Sequence, residues 1–340
     1  MTNKNEQLRF NKSEVNWAGD MLVQNPRDEQ AIAVLEYWRS LHSKILTPKE
    51  ELFRFDDSFT VQISSRMKRS VSIIEKLTRF PEMKLSRMQD IAGHRFVVKS
   101  ESSVLLSKLP SIVGTLHEEG RPFFLKKKVD YQEIPRDSGY RAVHYIFECR
   151  SPDDPFTNGL LLEVQLRTYP QHLWAMAVET VGMFYGQALK SSRGDQEWLD
   201  FFQLASAVIS TMEGMPVVEK YRNTDAKELR RMLQQQGQEQ SFFSKLAAIR
   251  RIHERDSSDD YEYWLLDLDI KKETCDVYGF TADQIDTAHE MYAAKEQTPA
   301  CLRGDKQIVL VSTSSFKDLR PNYPSYFLDV ADFLEMIKTA

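Results

Sequence analysis

The spacing of apolar residues near the start of the chain is typical of an amphipathic helix. In the stretch DEQAIAVLEYWRSLHSKIL, Ile32, Leu35, Trp38 and Leu41 recur at helical intervals, so that one side of a helix would be apolar. We therefore expect a helical N-terminal segment over residues 1–44.

Between residues 45 and 190 the pattern changes repeatedly from the alternation of strands to the periodicity of helices. Strand patterns occupy 61–68, 94–99, 123–129, 140–150 and 160–168, and helical patterns occupy 70–80, 102–120 and 170–189. The order is strand, helix, strand, helix, three strands and helix. It predicts an α+β domain in which a mixed β-sheet is flanked by helices.

The helix expected over residues 70–80 has sequence signals at both of its ends. Ser72 and Glu75 have the S-x-x-E spacing of a capping box, in which each side chain bonds to a free backbone N–H group. Pro81 follows the last apolar position and cannot continue the helix. These signals predict a helix that begins near Ser72 and ends before Pro81.

The remaining part of the chain divides into a helical region and a small mixed region. Helical periodicity over 195–214 and 225–254 predicts a helical region at 191–254. The polar tract RDSSDD at 255–260 is typical of a linker. Strand, helix, strand and helix patterns follow at 261–270, 281–296, 307–313 and 329–338, and they predict a small α/β domain over 255–340.

Composition places the chain among globular proteins and excludes several other classes. Its 340 residues are 41% hydrophobic and 28% charged, which suffices for two ordinary domains. No apolar run approaches the roughly 18 residues of a membrane span, and the first residues lack the apolar core of a secretory signal, so we expect a cytoplasmic location. The three cysteines are far apart and without C-x-x-C spacing, which favours neither disulfides nor a zinc site.

The strand LLLEVQLRT carries the first candidate chemistry. Because side chains alternate along a strand, Glu163, Gln165 and Arg167 share one face, opposite the leucines and Val164. A carboxylate, an amide and a guanidinium in a row are suited to holding a metal ion and an anionic ligand. A solvated face of an antiparallel sheet gives the same pattern, and the strand alone leaves both interpretations open.

Two further segments have the chemistry of phosphate binding. Arg66 and Lys68 project the same way immediately before a helix N-terminus, and Lys76 lies in that helix, an arrangement that favours a triphosphate. Such a basic cluster is also common on a solvated face. Residues 121–141 hold six Lys or Arg against three Asp or Glu, although the net charge of the chain is −5 and argues against nonspecific nucleic-acid binding by the whole molecule.

The turn at 135–144, PRDSGYRAVH, combines an aromatic ring with cationic groups. Arg136, Ser138 and Gly139 form a turn that would present the ring of Tyr140 to a base, with His144 on the following strand. A surface turn with Tyr140 packed in the core explains the same residues. Asp90, five residues before Arg95, is either a surface carboxylate or half of a metal site.

Five segments together resemble the synthetase domain of the RelA/SpoT family. RMKRSVSIIEK, DIAGHR, PRDSGYRAVH, EVQLRT and HLWAMAVE occur in the order and approximate spacing of that domain, within residues 45–190. The resemblance implies a nucleotidyltransferase-like fold. It also implies a transferase of the stringent response, a GTP pyrophosphokinase that moves pyrophosphate from ATP to the 3′ hydroxyl of GDP or GTP and so makes the alarmones guanosine tetra- and pentaphosphate.

The resemblance assigns a role to each matching residue. Asp90 and Glu163 would bind Mg²⁺, and Glu163 would also help to activate the acceptor hydroxyl. The residues matching the ATP side are Arg66, Lys68, Ser72, Lys76 and Arg95. Those matching the GDP or GTP side are Arg136, Ser138, Tyr140, His144, Gln165 and Arg167, with Tyr140 stacked on guanine. His172 and Glu179 match a helix motif that would support the site.

Departures from the family pattern leave three readings of function open. Arg136 stands where many of these synthetases have lysine, and no His-Asp metal set precedes the domain, so we expect a synthetase without the hydrolase half. One alternative is a toxin-type enzyme that pyrophosphorylates the tRNA 3′ end, gripped by Lys126, Lys127 and Lys128 and controlled through the C-terminal region or a regulatory partner. Another is an inactive module that senses alarmone. Homo-oligomerisation is expected by analogy alone.

Overall fold

The protein forms an α+β structure, as the sequence predicts. The computed structural model describes residues 10–46, 53–54, 59–100, 114–115, 123–184, 189, 194–240, 242–243, 246, 261–269, 272, 274–303, 305–312 and 330–340. The helices in these ranges are α1 Lys12–Gln24, α2 Glu29–Lys44, α3 Ser70–Arg79, α4 Tyr169–Phe184, α5 Gln196–Met212, α6 Ala226–Glu239, α7 Ile285–Glu296, α8 Pro299–Leu302 and α9 Ala331–Thr339.

Eight strands form one mixed sheet. The strands of the described chain are β1 Phe53–Arg54, β2 Thr60–Met67, β3 Ala92–Lys99, β4 Gly114–Thr115, β5 Phe123–Asp130, β6 Val143–Cys149, β7 Leu161–Thr168, β8 Tyr263–Asp269, β9 Thr274–Phe280 and β10 Lys306–Ser312. The order in the large sheet is β5-β6-β7-β3-β2-β10-β8-β9, while β1 pairs separately with β4. β3 and β7 are parallel and the other neighbours are antiparallel, so the prediction of a mixed sheet is confirmed.

Helices cover both faces of the large sheet. On one face α1, α2 and α3 pack against apolar side chains of the central strands, as Ile73 and Phe96 do. α7 packs on the same face against β8 and β10, where Ala288 meets Leu265. On the opposite face α4, α5 and α9 enclose a core with the fully buried Trp264.

The C-terminal strands continue the sheet of the central region. β10 pairs antiparallel with β2, with Val311 opposite Arg66, and β8 and β9 follow outward. The boundary expected at residue 255 stays a prediction, because the linker at 255–260 lies outside the described residues. β9 had no counterpart in the sequence analysis, because its short alternation over residues 274–280 includes few strongly apolar residues.

The capping box predicted at Ser72 and Glu75 is wrong. α3 begins at Ser70, with Arg69 at the N-cap position and no side-chain cap from it. The N–H of Ser70 instead donates to Oε1 of Glu296 at 2.6 Å. The helix predicted over 102–120 lies outside the described residues except at 114–115, which form β4.

Candidate active site

The polar residues of the central strands converge on one face of the sheet through its register. Arg66 on β2, Gly93 on β3 and Glu163 on β7 are successive partners across three strands. Arg95, Gln165 and His144 form a second row across β3, β7 and β6. Since paired residues project to the same side, the two rows form one polar surface.

Gly93 leaves a gap in this surface beside Glu163. A Cβ atom at this position would lie 3.3 Å from the backbone carbonyl oxygen of Glu163, so a side chain would crowd the neighbouring strand. Asp90 lies three residues earlier, just before β3 begins at Ala92. Glycine at this position therefore allows β3 and β7 to pair closely beside Glu163.

Asp90 is held by two lysines of the predicted ATP side. Lys68 Nζ lies 3.0 Å from Oδ2 and Lys76 Nζ lies 2.8 Å from Oδ1. Burial acts to raise the pKa of Asp90, but the two ammonium groups outweigh it and lower the pKa to about 2. Asp90 is therefore an ionised carboxylate across the physiological range.

The cations around Asp90 outnumber its single negative charge. Burial lowers the pKa of Lys68, Asp90 opposes this effect, and Lys76 and Arg66 add repulsion. Three positive groups thus lie within electrostatic reach of one carboxylate. This excess suits an anionic ligand such as a polyphosphate.

Glu163 accepts a hydrogen bond on each of its carboxylate oxygens. His144 Nδ1 lies 2.9 Å from Oε1, and Gln165 Nε2 donates to Oε2 at 2.8 Å. Burial acts to raise the pKa of Glu163, but the bond from His144 and its charge lower it, while the nearby charge of Asp90 raises it. The two predicted metal carboxylates therefore interact electrostatically, and both are ionised.

The loop between β5 and β6, residues 131–142, carries Tyr140 to the other side of Glu163. The Tyr140 hydroxyl lies 2.7 Å from His144 Nε2 and accepts from Arg167 Nη2 at 3.0 Å. Burial acts to raise the pKa of Tyr140, but the charges of Arg167 and His144 lower it below its usual range. A continuous chain of hydrogen bonds thus joins Tyr140 to Glu163 through His144.

The ring of Tyr140 is half-buried and lies among cations and aromatic rings. The guanidinium of Arg167 is 5.3 Å and that of Arg136 is 5.8 Å from its centroid. Arg136 lies closer to Tyr131, at 4.4 Å from the ring centroid, and donates to its hydroxyl at 2.6 Å. Tyr131, which sequence reasoning missed, adds a second aromatic surface to the loop.

Arg167 is a buried cation beneath this loop. It is 1% exposed and donates through Nη2 to Gln165 as well as to Tyr140. Within the described part of the chain its Nε and Nη1 atoms have no hydrogen-bond partner. A buried guanidinium with spare donors favours an anionic or carbonyl-bearing ligand.

The remaining predicted residues lie on α3, on β3, on α4 and in the β5–β6 loop. Ser72 is four residues before Lys76 and shares its face of α3, and the Ser138 side chain accepts from the N–H of Tyr140 at 3.4 Å. Arg95 is buried, with Nη1 3.9 Å from the sulfur of Met176 on α4. His172 lies four residues before Met176 and Glu179 lies three residues after it, so the three share one face of α4, and the supporting role of His172 and Glu179 stays a prediction.

The described residues include neither a cluster of metal-binding side chains nor a membrane-spanning helix. Those residues contain no group of three or more His, Cys, Asp or Glu side chains arranged to hold a metal ion. None of their helices combines the length and the apolar character that crossing a bilayer requires.

The central region of the chain is similar to known proteins. Residues 65–186 match the family model described as a region found in RelA / SpoT proteins. The GTP pyrophosphokinase YwaC of Bacillus subtilis (strain 168) is 28% identical over 165 residues, which cover 42% of this chain and 73% of that protein. The GTP pyrophosphokinase YjbM of the same organism is 26% identical over 133 residues, covering 38% and 60%.

Other relatives are similar over the same part of the chain. The uncharacterized protein Rv1366 of Mycobacterium tuberculosis (strain ATCC 25618 / H37Rv) is 28% identical over 149 residues, or 43% of this chain and 46% of that protein. The solved structure of small alarmone synthetase 1 from Bacillus subtilis bound to its product pppGpp is 20% identical and covers 58% of this chain and 93% of that one. The TM-score of this pair is 0.35.

Proposed function

We propose that residues 65–186, which match the RelA/SpoT family model, form a synthetase domain, and that the protein transfers the pyrophosphoryl group of ATP to the 3′ hydroxyl of GDP or GTP. The products are AMP and guanosine tetra- or pentaphosphate. The observation that carries this proposal is the position of Asp90 and Glu163, two ionised carboxylates between a cationic cluster and an aromatic loop. The names of two relatives, both GTP pyrophosphokinases, support it.

ATP binds on the side of Asp90 in this proposal. Arg66, Lys68 and Lys76 bind the phosphate oxygens, and the ammonium groups that now contact Asp90 are in position to do so. Arg95, buried under the surface, adds positive charge behind them. Such groups stabilise charge on the transferred phosphates without changing their covalent state.

The guanine nucleotide binds on the other side of Glu163. Tyr140 stacks on the base, and Arg136, Arg167 and His144 bind the phosphates and ribose. The 3′ oxygen attacks the β-phosphorus of ATP, the bond between the α- and β-phosphoryl groups breaks, and AMP leaves with the bridging oxygen. The proton of the hydroxyl passes to the Glu163 carboxylate and then to solvent. Since its low pKa makes Glu163 a weak base, much of its contribution is orientation of the attacking oxygen.

The carboxylates fit a magnesium ion. Mg²⁺ is commonly held by one or two carboxylates together with substrate phosphates and water, and both Asp90 and Glu163 are ionised. When bound, the ion would neutralise phosphate oxygens of ATP. Lys68 and Lys76 would then shift from Asp90 towards the phosphates.

Two rival functions make different use of the same surface. If tRNA were the acceptor, the basic strand β5 would bind the RNA backbone. However, Lys126 lies 2.8 Å from Glu148, and Lys128 lies 3.4 Å from Asp130. These partly exposed pairs are weak, yet they reduce the local excess of positive charge. A sensor without activity has no need of two ionised carboxylates. Guanine nucleotides therefore remain the proposed acceptors, and the cytoplasm, where these nucleotides are found, the proposed location.

A label-transfer assay tests the proposal. The purified chain is incubated with Mg²⁺ and ATP labelled in its γ-phosphate, and GDP, GTP or bulk tRNA is offered separately as the acceptor. Thin-layer chromatography should show label in the guanine nucleotide and one AMP released per transfer. Label in tRNA alone would replace the proposed acceptor, and absence of transfer to all three would support the sensor.

A further inference from the structure

Helix α5, which lies beyond the matched residues 65–186, contacts the backbone of the β5–β6 loop. Ser206 Oγ donates to the carbonyl oxygen of Gly139 at 2.5 Å. Gln203 Nε2 donates to the carbonyl oxygen of Asp137. Asp137 and Gly139 flank Ser138, and Gly139 precedes Tyr140, so α5 holds the loop backbone beside two of its predicted ligand-binding side chains.

The turn at Gly139 also packs closely against α5. Gly139 has a φ of +89°, and a Cβ atom there would lie 2.7 Å from Cβ of Ser206. Glycine is thus required both for the backbone conformation and for the approach of the turn to the helix. The turn is closed within the loop by the N–H of Gly139, which donates to the carbonyl of Arg136 at 2.8 Å.

A second group of contacts joins the ends of the loop to the end of α5. Arg141 donates through Nη2 to the carbonyl oxygen of Pro216. Gln132 donates to Gln171 at 3.0 Å, and Gln171 donates to Glu213, the residue after α5, at 3.2 Å. Arg141, Gln132, Gln171 and Glu213 are all buried, so both ends of the loop are anchored in the interior.

We propose that Ser206 and Gln203 are positioning residues that hold the β5–β6 loop in the conformation that binds the guanine nucleotide. The inference rests on the proposed function of this loop as the acceptor side. It makes α5 part of the synthetase site, although α5 lies outside the matched domain and its residues touch no reacting atom.

The affinity for the nucleotide depends on the fraction of molecules in which the β5–β6 loop has the binding conformation. Removing a donor leaves a carbonyl near the helix without its partner, which favours loop conformations that expose that carbonyl to water. If only part of the population retains the competent loop, the apparent affinity for the nucleotide falls by that fraction. The pairing of β2, β3 and β7 does not depend on this loop, so we expect the ATP side to be unaffected.

Ser206→Ala and Gln203→Ala test this role, with Ser210→Ala as the matched control. Ser210 is a fully buried serine on the same helix, but its hydroxyl donates to the carbonyl of Ser206 at 2.7 Å, within α5 itself. Three quantities are measured: hydrogen exchange of residues 131–142 without nucleotide, the Kd of GDP by calorimetry, and the KM values of acceptor and ATP.

We expect faster exchange in the loop and an acceptor Kd and KM raised about tenfold in the two test variants, equivalent to about 1.4 kcal/mol. The KM of ATP and all values for Ser210→Ala should remain near wild type. Unchanged loop exchange overturns the inference, as does faster exchange with unchanged GDP affinity. If the wild-type chain binds GDP but transfers no label, the proposed function is rejected, and the exchange and affinity measurements still test the positioning role. If the wild-type chain binds no GDP, both proposals are rejected.

Discussion

At the scale of single residues, Tyr140 and Glu163 together favour the charged form of His144. Burial acts to lower the pKa of His144, but Tyr140 and Glu163 raise it from 6.5 to about 9. The resulting stabilisation is present below pH 6.5 and is lost as the pH rises through about 9. The lowered pKa of Tyr140 stabilises the folded protein increasingly as the pH rises, over a pH range that overlaps the range of His144. The two contributions to the free energy of unfolding therefore change in opposite directions and conceal each other.

The Glu163→Gln variant is therefore tested by two measurements, the pKa of His144 and the rate of transfer. The variant keeps the shape of the side chain but removes the charge, so the pKa of His144 should fall when its ring protons are titrated by NMR. Transfer should decrease at least about a hundredfold, since a positioned base commonly contributes 10²–10⁴. A far-UV circular dichroism spectrum that matches wild type at the assay temperature serves as the control for folding. Near-full turnover in this variant would remove Glu163 from the mechanism.

Tyr140 contributes both a ring and a hydroxyl, and two substitutions separate them. Tyr140→Phe keeps the ring but loses the bonds to His144 and Arg167. Tyr140→Ala loses the ring as well and should weaken binding of GDP by about 1–3 kcal/mol, the usual contribution of base stacking. Initial rates give the KM of each substrate. If Tyr140→Ala raises the KM of ATP instead, the loop binds the donor.

At the scale of secondary-structure elements, α3 depends on a residue far away in the chain. Glu296 at the end of α7 accepts from the N–H of Ser70 at 2.6 Å and from its hydroxyl at 3.0 Å. It also accepts from Arg39 of α2 at 3.1 Å, in a buried ion pair. The helix that carries Lys76 is thus capped by the C-terminal part of the chain.

Glu296→Ala should destabilise the protein and disturb the ATP side. Removing one member of a buried ion pair typically costs about 3–5 kcal/mol, and Glu36, which also contacts Arg39, should keep the loss near the lower value. Urea unfolding measures this loss, and the KM of ATP should rise because α3 positions Lys76. Glu290→Ala, at an exposed position of the same helix, is the control. Equal unfolding midpoints for the two variants would contradict the capping role.

The elements themselves were largely predictable, but their tertiary partners were not. The strand containing Glu163 is visible because its leucines alternate with polar residues over eight positions. Its parallel pairing with β3, which places Gly93 beside Glu163, depends on the path of the chain and leaves no local signal. The cap of α3 was missed for the same reason: Ser72 and Glu75 have the correct spacing, but Glu296 supplies the bond from 226 residues away.

Some site residues could be predicted from local sequence motifs, whereas others are shown only by contacts between distant parts of the chain. The five motifs contain Asp90, Glu163 and Tyr140, and the resemblance assigns their roles, which stay predictions until substrates are tested. Ser206 and Gln203 belong to no motif, because an amphipathic helix requires no particular side chain for contact with a loop backbone. Only the folded chain shows that they meet Gly139 and Asp137.

At the scale of the whole molecule, the C-terminal strands share both a sheet and a core with the region of residues 65–186. β10 pairs with β2, the strand of Arg66. Trp264 on β8 and Val309 on β10 belong to the same buried cluster as Trp174 on α4. Unfolding the C-terminal strands alone would expose this cluster and an edge of β2, so we expect the described parts of the chain to unfold together.

Trp264→Ala provides the test, because Trp264 is completely buried in that shared core. Truncation of such a residue commonly costs about 3–5 kcal/mol through lost burial and the cavity left behind. If unfolding is a single transition, hydrogen exchange of the slowest amides in β7 should accelerate by the same factor as in β8, because both exchange through the same open state. Acceleration confined to β8, β9 and β10 would instead show that the C-terminal strands open separately and leave the site-bearing strands intact.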